Sequence, residues 1–255
     1  MNELSPRFWE IFFEVYGSLP RQGPGNRASA ARALDLCPIP EKPLRILDLG
    51  CGTGAQTFHL AELTTGTIDA LDNHAPFVDL LQAGVVKRGL SHRIRAKVGD
   101  MAAPEYLPGG FDLIWSEGAL YSIGLRNALS VCHGLLRPGG FLCFTDAIWR
   151  RDDPPAAVKA GFDFDYPTMG RLDDDLAAIK DSGFELIGHF TLPDEAWWED
   201  FYTPMETSIA DLSMKYGSDP EALSILAQLA EEPEVHRSYS EYYAYEFFVA
   251  RCIKE

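Results

Sequence analysis

The chain has 255 residues, 46% hydrophobic, 12% aromatic and 24% charged, the profile of a globular protein long enough to bury one full core. Its 22 basic and 38 acidic side chains leave a formal charge of −16, with no basic cluster beyond the loose group Arg88, Arg93, Arg95 and Lys97. That balance argues against nucleic acid and anionic membranes as partners, since both are bound largely through their phosphates.

Five scattered cysteines without a Cys-x-x-Cys pair predict free thiols in a reducing compartment, and six histidines without ligand spacing predict no metal. No stretch approaches the roughly 18 apolar residues of a membrane span, and the start does not read as a signal peptide. A cytoplasmic location is the expectation.

Ser5-Pro6 reads as an N-cap and first helical position, and Phe8, Ile11, Phe12 and Val15 then recur at helical spacing over 6–17. Ser18 to Gly25 break that helix, and Asn26 caps a second one that ends near Leu36 before the extended Cys37-Pro38-Ile39-Pro40. Strands are expected at 44–49, 67–72, 94–98, 111–116 and 141–145, alternating with helices at 54–63, 75–88 and 126–136. A helix at 172–182 leads to a strand at 184–192, and a last strand lies near 244–253. This alternation predicts an α/β fold, a doubly wound and mostly parallel sheet with helices on both faces. Two segments, 147–171 and 193–240, exceed the minimal pattern; the second carries helices near 204–216 and 220–231. Long insertions beside strand ends are where lids and pockets lie.

The most informative run is Leu44-Arg45-Ile46-Leu47-Asp48-Leu49-Gly50-Cys51-Gly52-Thr53-Gly54: a buried strand, an acid, then a glycine turn opening into a helix. Glycines there let backbone approach a ligand at the carboxyl end of a parallel strand. A carboxylate before the turn suits a cofactor carrying an ammonium and a sulfonium. Gly50, Gly52 and Ala55 also satisfy the looser dinucleotide fingerprint, so an NAD-dependent oxidoreductase is the rival reading.

Asp48, Gly50, Gly52 and Gly54 resemble the first motif of class I S-adenosylmethionine (SAM) dependent methyltransferases. Arg21-Gln22-Gly23-Pro24-Gly25, Trp115-Ser116-Glu117-Gly118-Ala119 and Tyr242-Tyr243-Ala244-Tyr245 extend the resemblance to a group of bacterial members of that family. The resemblance implies a Rossmann-like seven-stranded sheet whose last strand is antiparallel and lies between its neighbours. It implies one methyltransferase domain over 1–255: a helical cap at 1–40, a SAM-binding half at 41–146, and a substrate-side half at 147–255 holding both insertions.

The resemblance also implies site residues. Asp48, Gly50, Cys51, Gly52, Gly54 and Gln56 would seat the methionyl end of SAM, and Asp72 with Asn73 the ribose. Asp100, Met101 and Ser116 would hold the adenine side. Asp72 alternatively only caps the next helix, and Asp69 is the weaker ribose candidate. Arg21 would neutralise the methionyl carboxylate, with Gln22 bonding cofactor or substrate, from an N-terminal lid docked on the open edge of the sheet.

Glu117, Tyr16 and Tyr121 are the candidate catalytic residues; Trp149, Trp197, Tyr202 and Tyr242 are the candidate pocket. The fourth motif lacks the Asn/Asp/Ser-Pro-Pro-aromatic run of base-methylating enzymes, which favours methyl transfer to a small molecule with S-adenosylhomocysteine as product. A non-catalytic SAM-binding protein is the remaining alternative.

Overall fold

The computed structural model describes residues 5–39 and 42–254; the cap boundary expected at 40/41 lies outside them. The first helix, α1 (Pro6–Ser18), starts where Ser5 accepts from the Phe8 amide, and α2 (Arg27–Leu36) where Asn26 accepts from that of Ser29. Then follow β1 (Leu44–Leu49), α3 (Ala55–Leu63), β2 (Gly66–Asp72), α4 (Ala75–Lys87), β3 (Ile94–Val98), β4 (Phe111–Glu117), a 3-10 turn (Leu120–Ile123), α5 (Leu125–Leu135) and β5 (Leu136–Trp149). Beyond them come α6 (Ala156–Asp165), α7 (Leu172–Asp181), β6 (Phe184–Thr191), the short α8 (Glu195–Trp197), a π-helical turn (Trp198–Tyr202), α9 (Thr203–Lys215), α10 (Pro220–Leu229), α11 (Glu231–Tyr239) and β7 (Tyr243–Cys252).

The seven strands form one sheet in the order β3-β2-β1-β4-β5-β7-β6. The pairs among β1 to β5 are parallel, whereas β7 runs antiparallel between β5 and β6. Strand order reverses between β1 and β4, and the crevice at their carboxyl ends is where such sheets take ligands. Neighbouring residues of β1 serve opposite faces: Ile46 packs with α2, α3 and α4 residues such as Ala33, Leu60 and Leu81, and Leu47 with α5 and α7 residues such as Leu129 and Ile179. Both faces are covered, so the strands read as continuous apolar runs.

A third core lies off the sheet. Ile11 and Val15 of α1 pack with Met205 and Ile209 of α9 and with Ile225 and Leu226 of α10. Thus α1 docks on the second insertion, with Phe13 stacked on His74 at the start of α4, and not on the sheet edge as expected. The physical reason is supply: the edge strand β3 offers a mixed surface, whereas α9 and α10 present apolar stripes that need a cover.

Two further differences concern the insertions. The strand expected to end at Thr145 continues to Trp149, because nine antiparallel pairs with β7 extend from Phe141↔Arg251 to Trp149↔Tyr243. The segment then forms α6, which alternation did not reveal. The second insertion holds an additional helix, α11, whose Pro233 lies in the first turn, where a missing N–H is tolerated.

Two carboxyls are buried near the end of β5 and in α7. Asp146, at the end of β5, accepts from Tyr166 Oη at 2.9 Å, and burial pushes its carboxyl up to about 7. Asp175 of α7 is 4% exposed with one oxygen lacking a hydrogen-bond partner; burial, then the charges of Asp146, Asp174 and Glu246, push it up to about 8. A carboxyl that titrates near 3.8 when unfolded and near 8 when folded binds more protons in the native state across that interval. Stability therefore falls as pH rises from about 4 to 8. Asp175→Asn, which cannot ionise, should stabilise the protein by at least about 1 kcal/mol at pH 7.5, since each unit by which folding raises a carboxyl corresponds to about 1.4 kcal/mol. The gain should vanish towards pH 4, as read by urea denaturation at both pH values.

Candidate functional site

The glycine turn is tied down from three sides. The Gly50 and Cys51 amides donate to the Leu71 carbonyl at 2.8 and 3.1 Å, which joins the turn to β2. Asp48 is completely buried behind it and accepts from Thr57 Oγ1 at 2.5 Å and Gln56 Nε2 at 3.4 Å. Gln56 also donates to the Gly50 carbonyl at 3.2 Å, so Asp48 shapes the turn through Gln56. Burial raises the Asp48 carboxyl to about 7, against the two hydrogen bonds that lower it. Cys51 is buried too; burial, then Asp48 and Asp72, raise its thiol well above its ordinary value, so it is no nucleophile. From the other side Ser116 Oγ donates to the Leu49 carbonyl at 2.8 Å and pins β4 to β1.

Asp72 stands at the mouth of β2. One oxygen accepts the Gly52 amide and the other the His74 amide, each at 2.9 Å. The second bond is the helix-entry role weighed above, yet each oxygen keeps a free lone pair for a vicinal diol. Asn73 beside it is exposed. Asp69 lies within β2, 3.7 Å from Arg45 and away from this mouth. Asp100 is exposed and accepts from the Ala102 amide at 2.8 Å. The Met101 methyl reaches the turn, 3.4 Å from where a Gly50 Cβ would stand.

The segment 21–25 closes over this crevice. Arg21 is 3% exposed and donates to the Gly23 carbonyl (3.0 Å), the Pro24 carbonyl (3.2 Å) and Glu117 Oε2 (2.9 Å). Trp115 Nε1 donates to the other Glu117 oxygen at 2.7 Å. Glu117, expected as a catalytic group, is thus half of a buried ion pair, and Arg21 is held by it. The Arg21 Nη1 remains buried without a hydrogen-bond partner. Gly25 has φ 144°, and a Cβ there would fall 2.4 Å from Glu117 Oε2 and 2.5 Å from Arg21 Nη2, so only glycine lets the pair lie against the backbone.

Gln22 links segment and turn directly. Its oxygen accepts from the Thr53 amide (2.9 Å) and Thr53 Oγ1 (3.0 Å), while its nitrogen donates to the Tyr16 and Leu19 carbonyls. A Cβ on Gly52, whose φ is 52°, would stand 2.5 Å from that oxygen.

Tyrosines and two acids line the far side. Tyr16 Oη donates to Glu232 Oε2 at 2.7 Å and Tyr202 Oη to Glu232 Oε1 at 3.2 Å. Tyr121, on the 3-10 turn after β4, donates to Asp165 of α6 at 2.6 Å. The Tyr245 ring lies 3.3 Å from where a Gly118 Cβ would stand, directly after Glu117. Trp197 is buried, stacked on His236 at 4.1 Å and nearly perpendicular to the Tyr245 ring, and Trp149 packs on Phe162. Tyr242 is not brought to this group; it lies against Arg151 and Tyr239.

Sequence reasoning left out Tyr245, Glu232 and Asp165. Strand alternation carried a signal for the first, since Tyr243 and Tyr245 share a face that Tyr242 does not. Glu232 sits in an acidic first turn that reads as solvated charge. Among the described residues no group of three or more His, Cys, Asp or Glu could hold a metal, and no helix is long and apolar enough to cross a membrane.

Residues 46–140 match the family described as "Methyltransferase domain". The chain is 25% identical over 170 residues to a sterol 24-C-methyltransferase of Gibberella zeae, covering 64% of this chain and 45% of that protein. It is 31% identical over 136 residues to the nocamycin O-methyltransferase of Saccharothrix syringae, covering 52% and 46%. The chain spans less than half the length of the curated relatives it first matches. In fold it is similar to a SAM-dependent methyltransferase of Geobacter sulfurreducens in complex with S-adenosylhomocysteine, with a TM-score of 0.80, 20% identity, and 98% and 99% of the two chains covered. The matched family spans the glycine turn and sets a methyltransferase domain over residues 46–140 in place of the dinucleotide reading, while the likeness in fold runs along nearly the whole chain.

Proposed function

We propose that the protein transfers a methyl group from SAM to a small-molecule acceptor. The observation that carries this is the buried Arg21–Glu117 pair beside the glycine turn, with Arg21 Nη1 left without a partner. A buried guanidinium N–H that lacks an acceptor suits a carboxylate, and the methionyl end of SAM carries one. Asp72 suits the ribose diol, and Met101 and Asp100 the adenine. The residues fit the cofactor.

Bound SAM supplies a methyl group on a sulfonium, so that an acceptor lone pair forms the new bond to carbon while the carbon–sulfur bond breaks and its electrons stay on sulfur. This chain's residues orient and shield. The turn with Asp72 fixes one end of the crevice, Gln22 and Arg21 close its top, and the tyrosine side faces the mouth of β4. Positioning of reacting atoms with water excluded accounts for several orders of magnitude in rate, so no covalent step by the protein is required. Glu117 serves by holding Arg21, a positioning role, whereas Tyr16 and Tyr121 lie on the acceptor side with Tyr202. Of the expected pocket tryptophans, Trp197 backs Tyr245 and Trp149 stays with α6. The small-molecule acceptor agrees with relatives named for sterol and nocamycin methylation and with a formal charge of −16.

Calorimetry with S-adenosylhomocysteine tests the cofactor site, and release of that product over a panel of acceptors tests turnover. Asp72→Ala should weaken cofactor binding by about 1.5–3 kcal/mol while the fold is kept; unchanged affinity would place the ribose elsewhere. Gly25→Ala should be more harmful than its size suggests, because the new methyl group meets both partners of the ion pair. Breaking such a pair costs about 3–5 kcal/mol, so a large fall in thermal stability and in cofactor affinity is expected. An unaltered melting temperature would show that the pair does not hold the segment.

A further inference from the structure

We infer that the acceptor is a basic amine, bound as its ammonium between Glu232, Asp165 and a wall of tyrosine rings. The inference rests on the methyltransferase reading above and names the substrate class of the same site.

Five elements converge on the space beyond the mouth of β4. Tyr16 comes from α1, Tyr121 from the 3-10 turn, Asp165 from α6, Glu232 from α11 and Tyr245 from β7. Hydrogen bonds join Tyr16 to Glu232 and Tyr121 to Asp165, and the charges of Asp146, then Glu232 and Asp165, all bear on the Tyr245 hydroxyl. Gly118 allows the Tyr245 ring to lie against the backbone immediately after Glu117, which places it at the junction with the cofactor crevice.

The charge in this space has one sign. Neither Glu232 nor Asp165 takes part in an ion pair among the described residues, although nineteen such pairs occur elsewhere in the chain. The nearby cation, Arg21, is committed to Glu117. Among the described residues tyrosine hydroxyls are the only side-chain donors to the two acids, and burial followed by the Asp165 charge raises the Glu232 carboxyl.

A carboxylate withdrawn from water without a counter-cation, as Glu232 is here, is unfavourable until a cation arrives, and the exposed Asp165 adds a second negative charge at the rim. Aromatic faces add to the attraction, since the ring quadrupole favours a positive group. A neutral or anionic acceptor would leave the Glu232 charge uncompensated. An alkylammonium would meet both carboxylates and the rings. Before its nitrogen can accept a methyl group it must lose one proton, and Glu232 is placed to take it, its raised carboxyl lying closer to neutrality than an exposed one.

The test uses the full chain saturated with S-adenosylhomocysteine, titrated calorimetrically with tetramethylammonium and with tert-butanol, its neutral counterpart of similar shape. The cation should bind at least tenfold more tightly than the alcohol. Glu232→Gln should remove at least tenfold of that preference, and Tyr245→Leu should weaken the cation further than the alcohol, while cofactor affinity stays within about twofold. Equal binding of the two probes by the wild-type protein, or a preference that survives Glu232→Gln, would overturn the amine assignment. If S-adenosylhomocysteine itself fails to bind in the same samples, the methyltransferase reading fails first, so the two failures are told apart. Should Glu232→Gln not fold, Tyr16→Phe removes a donor from Glu232 while keeping the ring. Comparison of the two probes on the wild-type protein stands without either variant.

Discussion

The buried pair between Arg21 and Glu117 is the contact on which the arrangement of both halves depends. Glu117 ends β4 at the centre of the sheet, and Arg21 belongs to a segment preceding the first strand by more than twenty residues. Both charges are withdrawn from water, which is unfavourable unless each finds several partners. Here Trp115 serves one carboxylate oxygen, and the Gly23 and Pro24 carbonyls serve the guanidinium. The Arg21–Gly25 segment cannot leave without stranding a charge. Its position is set by electrostatics at one point and by the geometry of Gly25 at the next.

The rest of the N-terminal segment is held by apolar packing of a separate kind. The lid has a core of its own, made by α1, α9 and α10, distinct from the two layers that flank the sheet. The Arg21–Gly25 segment joins it to β4 and the glycine turn through polar bonds: Arg21 to Glu117 and Gln22 to Thr53 on one side, and the Arg21 amide to the Asp200 carbonyl and the Gly25 amide to the Ala196 carbonyl of the second insertion on the other. A rigid apolar body joined by a few directional bonds is well suited to define the roof of a site. Directional bonds fix distances more narrowly than apolar contact does.

Legibility in the sequence followed the range of the interactions. Period and turn chemistry within a dozen residues located every strand of the sheet, the glycine turn and the caps at Ser5 and Asn26. The order of β7 between β5 and β6 came from resemblance, because no local pattern encodes which strands pair. Arg21 was legible as part of a segment that closes on the glycine turn, but its partner was not: Glu117 lies 96 positions away, and a carboxylate after a strand reads equally as a ligand group. Aromatic residues misled in the same way. Trp197 and Tyr202 carry the same composition signal as Tyr245, yet the first is core and the second supports Glu232, a difference decided by which lid helix lies opposite.

The walls of the acceptor side are unequally anchored, and this bears on how a substrate enters. Tyr16 and Tyr202 belong to the lid core, and Tyr245 to a strand paired on both edges. The remaining wall, α6, has one fully buried residue, Val158, and reaches the site through an exposed bond from Tyr121 to Asp165 and the packing of Phe162 on Trp149 and Tyr243. Local opening has its lowest free energy where buried apolar contacts are few and bonds are solvent-exposed. Lifting the Arg21 segment would break a buried ion pair, whereas lifting α6 breaks contacts already near water. Opening at α6, with the Arg21 segment kept in place, is the local motion that these energies favour.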